Sequence, residues 1–204
     1  MSDLARRVTE AVSTALGGKS SPLHEPLMRG NEERYVRECI SSGMVSSVGA
    51  FVDRFEQKLQ DVTGAKRAVA VSSGTAALQI ALRLAGVRAR DEVLIPSLTF
   101  VATANAVSHL GAVPHFVDVE EQTLGVGPVA LQKWLSESAE ITRNGLRNKV
   151  TGRIIRALVP MHTFGHPADL DGLLKVCASW NLALVEDAAE SLGSFYKGQH
   201  TGTI

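Results

Sequence analysis

The sequence carries no net charge: Lys plus Arg and Asp plus Glu balance at 21 each over 204 residues. No global field therefore favours nucleic acid or an anionic membrane surface as a partner. Cysteine is scarce. Cys39 and Cys177 lie far apart and without metal-ligand spacing, so neither a metal centre nor a disulfide framework is expected. Cys177 falls in the apolar-periodic run 173–177 and reads as a buried thiol. No apolar run is long enough to span a membrane, and residues 1–7 lack the apolar core of a signal peptide. A cytoplasmic location is the expectation. Internal repeats and low-complexity tracts are missing too, as are the Walker loop and the Gly-x-Gly-x-x-Gly fingerprint of dinucleotide binding.

What is present is apolar material. Hydrophobic residues make up 45% and mean hydropathy is +0.07, enough for the core of one large domain. Residues 1–21 read as a short amphipathic segment with a loose Gly-Gly-Lys-Ser-Ser end, a flexible lead-in to a domain over 22–204. An extended connector over 22–30 follows. Asn31 is placed to cap a helix ending near Gly43, and Phe51, Val52, Phe55 and Leu59 mark a second that Gly64 ends.

From there strands and helices alternate. Strands are expected over 67–71, 92–95, 113–117, 154–159 and 182–185; helices over 75–85, 99–110, 129–137 and 170–180. Alternation of this kind predicts an α/β fold with a mostly parallel sheet flanked by helices. The stretch 136–152 interrupts it with polar residues, and residues 141–156 hold five basic side chains and no acidic one. A solvated loop is the plain reading; a basic lip for a phosphorylated substrate is the sharper one.

Three strand-to-helix crossings hold the candidate chemistry. Ser72 to Leu78 combines Gly74, for a tight turn, with hydroxyls and the free N–H groups of a helix start, a pattern that suits phosphate as well as simple capping. Phe100 follows the second strand; alone it reads as core. The run 182–191 is four apolar residues, then Glu186 and Asp187, then small residues, which reads as a buried strand ending in a carboxylate. Asp187 by itself admits an N-cap or a structural ion pair; at the carboxyl end of a parallel strand it also suits a ligand. An anion cradle, an aromatic face and a carboxylate together match a ligand with a phosphate, a flat ring and a basic nitrogen. Pyridoxal phosphate (PLP) is such a ligand.

These stretches, with 43–49, 91–105, 160–166 and 186–193, resemble the DegT/DnrJ/EryC1/StrS family of PLP-dependent sugar aminotransferases. The likeness runs over about residues 22 to 204 and is nearest to the branch acting on nucleotide-linked 4-keto sugars. It implies the large domain of a fold type I aminotransferase. By that resemblance Gly74, Thr75 and Ala76 hold the cofactor phosphate, and Phe100 packs on the ring. Asp187 is the catalytic carboxylate on the pyridinium nitrogen, and Glu190 faces the phenolic oxygen where many relatives have Gln. Met44 stands where many relatives have Trp. The resemblance further implies an amino-acid donor (glutamate), a nucleotide-sugar acceptor and a homodimer. It places the Schiff-base lysine beyond Ile204, so this chain reads as an amino-terminal half, inactive alone. A sugar dehydratase on the same fold and a non-catalytic fragment stand as alternatives.

Overall fold

The computed structural model of the protein describes residues 2–20 and 26–204. Contacts divide the chain into two compact units, Met1–Ala50 and Phe51–Ile204.

In the first unit the amphipathic segment is helix α1 (Asp3–Ala15), started by Ser2, whose hydroxyl accepts the Ala5 N–H at 3.3 Å. Of the expected connector, residues 22–25 lie outside the described ones. Helix α2 (Glu32–Ser42) has two glutamates in its first turn and ends on Gly43 at φ 70°. Asn31 occupies the capping position but does not cap: its Oδ1 takes the Arg34 Nε–H at 3.4 Å instead.

Helix α3 (Ala50–Thr63), all but its first residue in the second unit, stops at Gly64 (φ 75°). The strand expected over 67–71 does not form. Among the described residues this extended stretch has no partner strand, and Val69 is 77% exposed. The Ala70 N–H is taken by Glu56 Oε1 at 2.7 Å. Alternating Ala and Val suit a pleated surface, but a strand exists only where a neighbour completes its ladder.

Helix α4 (Gly74–Leu84) precedes strand β1 (Glu92–Pro96), helix α5 (Val101–His109) and strand β2 (Val113–Val117). Helix α6 (Pro128–Ser138) leads to a hairpin, β3 (Ala139–Thr142) and β4 (Gly145–Asn148), and then to β5 (Ile154–Leu158). A 3-10 turn (Thr163–Gly165), helix α7 (Leu170–Trp180) and strand β6 (Ala183–Leu184) follow. A second small hairpin closes the chain, β7 (Phe195–Tyr196) and β8 (Gln199–His200), turning at Lys197 and Gly198.

Strands β2, β1, β5 and β6 run parallel in that spatial order. The free edge of β5 is shared: β4 pairs its amino half and β6 its carboxyl half. Each face of the sheet is covered. Leu78, Leu82, Ala106 and Val107 of α4 and α5 pack with Val93, Ile95, Ala157 and Val159 on one side. Leu131 and Leu135 of α6 and Leu173, Val176 and Cys177 of α7 pack with Leu94, Ile155 and Leu158 on the other. The two-sided cover explains why β1 is buried at all five positions.

The polar interruption is neither a loop nor a basic lip. It contains the antiparallel hairpin β3–β4, and four of its five cations have partners among the described residues. Arg147 pairs with Glu140, and Lys149 Nζ donates to the Glu137 carbonyl at 3.0 Å. Arg156 lies 3.2 Å from Asp91; it is the extra residue where the β1–β5 register slips between Ile155 and Ala157. Buried Glu92 accepts from Asn148 (2.9 Å) and Thr151 (2.6 Å), which fastens the hairpin to β1. The acidic partners lie outside 141–156 in sequence, so local composition hid the pairing.

Candidate active site

At the opposite, carboxyl end of the sheet a cavity of about 200 Å³ is lined by Gly74, Thr75, Leu78, Phe100, Ala102, Met161, Asp187, Ala189 and Glu190. Residues from four distant stretches of sequence meet there because parallel strands deliver their exits to one edge. A larger open groove of about 860 Å³ near Lys66, Arg67, Phe195 and Gln199 brings together none of the expected residues.

The start of α4 forms one wall. Ser73 is its N-cap, with its hydroxyl accepting the Ala76 N–H at 3.2 Å. The Gly74 and Thr75 N–H groups have no acceptor among the described residues, as expected of a helix's first turn. Ala76 does not share this wall: its N–H serves the cap and its side chain lines a different depression. Gly74 does not make a tight left-handed turn; a Cβ there would meet no atom within 4 Å. Nothing in the chain itself requires glycine at that place, whereas a ligand seated against the backbone would.

Phe100 is not core. It is the residue before α5, 67% exposed, and it stands at the cavity edge.

Asp187 sits where β6 runs out, held by backbone pairing of its N–H to the Pro160 carbonyl (2.8 Å) and its carbonyl to the His162 N–H (3.2 Å). Its side chain is buried. Oδ2 accepts from the Thr103 hydroxyl at 2.7 Å and Oδ1 from the Ala189 N–H at 3.3 Å. It neither caps a helix nor forms an ion pair among the described residues. A buried carboxylate satisfied only by two hydrogen bonds has room for a cationic partner.

Glu190 is exposed at the rim, and its Oε2 accepts the Phe164 N–H at 2.9 Å. His162 is fully buried as a structural group. Its Nδ1 accepts the Ala168 N–H (3.2 Å), so Nε2 bears the proton and donates to Glu186 Oε2 at 3.0 Å. Glu186 also accepts from Gly202 and Ile204 N–H, each at 2.8 Å. Burial opposes ionisation of Glu186, yet the His162 donor and the two backbone donors outweigh it and hold its carboxyl below the ordinary glutamate range.

None of the six lysines of the second unit (Lys58, Lys66, Lys133, Lys149, Lys175, Lys197) lines this cavity. Lys197 pairs with Asp171, which raises its pKa and keeps it charged.

Comparison with known proteins places the chain in a family. The model of the DegT/DnrJ/EryC1/StrS aminotransferase family matches residues 26–204. The chain belongs to this aminotransferase family. GDP-perosamine synthase of Escherichia coli O157:H7 is 35% identical over 186 residues, covering 91% of this chain and 47% of that protein. EpsN of Bacillus subtilis, whose description assigns it pyridoxal phosphate, is 39% identical over 182 residues, 89% of this chain and 44% of its own. Among solved structures, S. venezuelae DesV matches with TM-score 0.68 and 34% identity over 85% of this chain and 44% of that one. The aminotransferase of Psychrobacter cryohalolentis gives TM-score 0.74 at 29% identity, covering 90% and 42%. The chain thus spans less than half the length of these relatives.

Met161, which lines the cavity, and Thr103, which does not line it but holds the Asp187 carboxylate, escape a sequence reading. Met161 has no distinguishing neighbours. Thr103 had a signal: with Thr99 it places two hydroxyls four residues apart, on one face, in an otherwise apolar stretch.

Proposed function

We propose that this chain is the cofactor-binding part of a PLP-dependent aminotransferase. The reaction would transfer an amino group, from an amino acid such as glutamate, to the keto carbon of a nucleotide-linked 4-keto-6-deoxy sugar. The observation that carries the reading is Asp187: a buried carboxylate without a cation, facing the same cavity as the unengaged N–H groups of Gly74 and Thr75.

The residues present fit PLP. Gly74 and Thr75 offer backbone donors and the positive end of α4 to a phosphate. Phe100 offers an exposed aromatic face to a ring. Asp187 offers a negative charge to a protonated ring nitrogen, and burial strengthens that attraction. Glu190, fixed by Phe164, supplies an acceptor at the rim. When bound, PLP supplies the electron sink on which amino transfer depends. The chain's own residues anchor it, keep its nitrogen protonated and limit water around Asp187.

The lysines of the second unit do not line this cavity, which fits an amine contributed by another segment or by a partner subunit in a homodimer. The nucleotide-sugar substrate is favoured by the perosamine synthase relatives, whose name carries GDP. The likeness to a sugar 3-dehydratase is 22% identical and speaks for the fold alone.

The test is binding of pyridoxamine 5′-phosphate (PMP), which needs no lysine, followed by fluorescence titration. Saturable binding that Asp187→Asn weakens about tenfold or more supports the reading. No binding, or equal binding by the variant, overturns it. For the substrate class, the partner-completed enzyme with glutamate and a GDP-linked 4-keto-6-deoxy sugar should yield an amino sugar by mass.

A further inference from the structure

The hydroxyl of Thr103 is placed unlike the other helical hydroxyls of this chain. Thr9, Thr63, Ser108 and Ser179 each donate to the carbonyl four residues earlier, at 2.7 to 3.0 Å. Thr103 has its side chain on two others instead: Asp187 Oδ2 at 2.7 Å, 84 residues away, and Thr99 Oγ1 at 2.8 Å. The direction of this chain of bonds follows from donor counting. A carboxylate oxygen can only accept, so the single Thr103 proton goes to Asp187. Thr103 then has only a lone pair for Thr99, and Thr99 must be the donor. The relay runs Thr99 to Thr103 to Asp187.

Thr103 is 1% exposed and Asp187 6%, so the bond between them is shielded from water. In such surroundings a hydrogen bond to a charged group is strong, and a second donor behind it polarises the first. The Ala189 N–H holds Oδ1 more loosely, at 3.3 Å. Thr103 therefore sets the rotation of the carboxylate more than any other partner does.

We propose that Thr103, backed by Thr99, is a positioning residue for the cofactor's ring nitrogen: it fixes the Asp187 carboxylate in the orientation that a protonated nitrogen requires. The proposal rests on the PLP reading above. The competing role is purely structural, a tie between α5 and the end of β6, and the two differ in what they do to recognition of that one atom.

The experiment compares PMP with its analogue in which the ring nitrogen is replaced by C–H, using the 204-residue chain. The wild-type chain is expected to prefer PMP. In Thr103→Val, close in shape but without the hydroxyl, the Kd for PMP should rise about tenfold while that for the carbon analogue stays unchanged. Thr103→Ser should keep the wild-type preference within about twofold, and Thr99→Val should lose about threefold of it. A preference intact in Thr103→Val overturns the proposal, as does a loss shared equally by both ligands, which marks a structural tie. Should Thr103→Val fail to fold by circular dichroism, Thr99→Val decides: an unchanged preference overturns the proposal. A wild-type chain that binds neither ligand refutes the PLP reading itself, an outcome distinct from binding that ignores Thr103.

Discussion

His162 Nε2 and Glu186 Oε2 stand 3.0 Å apart with the histidine wholly enclosed, and the same carboxylate holds the Gly202 and Ile204 N–H groups. Residues 160–166, the end of β6 and the last residues of the chain are thereby joined at one buried group, beside Asp187.

Glu186 therefore makes stability depend on acid. A carboxyl held below its ordinary value stabilises the fold above that value and loses the contribution as falling pH protonates it in the folded state. Glu186→Gln is expected to cost about 1–3 kcal/mol at pH 7, with the gap to wild type shrinking as pH drops below the ordinary glutamate value of 4.5. Urea midpoints between pH 7 and pH 3 measure this; parallel curves for both proteins would refute it.

Gly74→Ala separates folding from ligand binding. Its added Cβ meets open space and its φ is ordinary, so stability should change by no more than about 0.5 kcal/mol. On the proposed reading PMP binding should nonetheless weaken about tenfold, because the methyl group would stand where a phosphate would approach the helix start. Pyridoxamine, which lacks the phosphate, provides the control and should bind both proteins alike.

Gly165 is constrained in the opposite sense. Its φ is 79° and a Cβ would lie 2.8 Å from the Glu190 carbonyl oxygen. Gly165→Ala is expected to cost about 1–3 kcal/mol and to lower the thermal midpoint by at least about 3 °C. A midpoint equal to wild type would show that the turn yields without cost.

Burial pushes the Cys177 thiol up to about 11. At pH 8 only about one part in a thousand would be thiolate, and the side chain is 4% exposed. Iodoacetamide should label Cys39, which is partly accessible, and spare Cys177 until the chain is unfolded. Mass spectrometry of the tryptic peptides reads the result; rapid native labelling of Cys177 would refute it.

Local pattern was enough for much of the fold. Apolar periodicity placed α7 and β2 at their observed limits and β1, β5, β6 and the helices that cover them to within a few residues, because each is stabilised by a face that its own sequence displays. The motifs around Gly74, Phe100 and Asp187 were recognisable for the same reason: a short stretch holds each one. Their meeting at one cavity followed from alternation, since parallel strands have a common carboxyl edge.

Pairing between distant residues was settled only by the tertiary structure. Residues 67–71 have strand composition but no neighbour to complete a ladder, so they stay extended. Arg147, Arg153 and Arg156 were matched to Glu140, Glu92 and Asp91, and Lys149 to the Glu137 carbonyl, none of which lies within 141–156. His162 became a buried donor to Glu186, and Thr103 turned from its own helix to Asp187 across 84 residues. A side chain's hydrogen-bond partner depends on which atoms packing brings within 3 Å or so of it, and that distance is not encoded in any window of sequence.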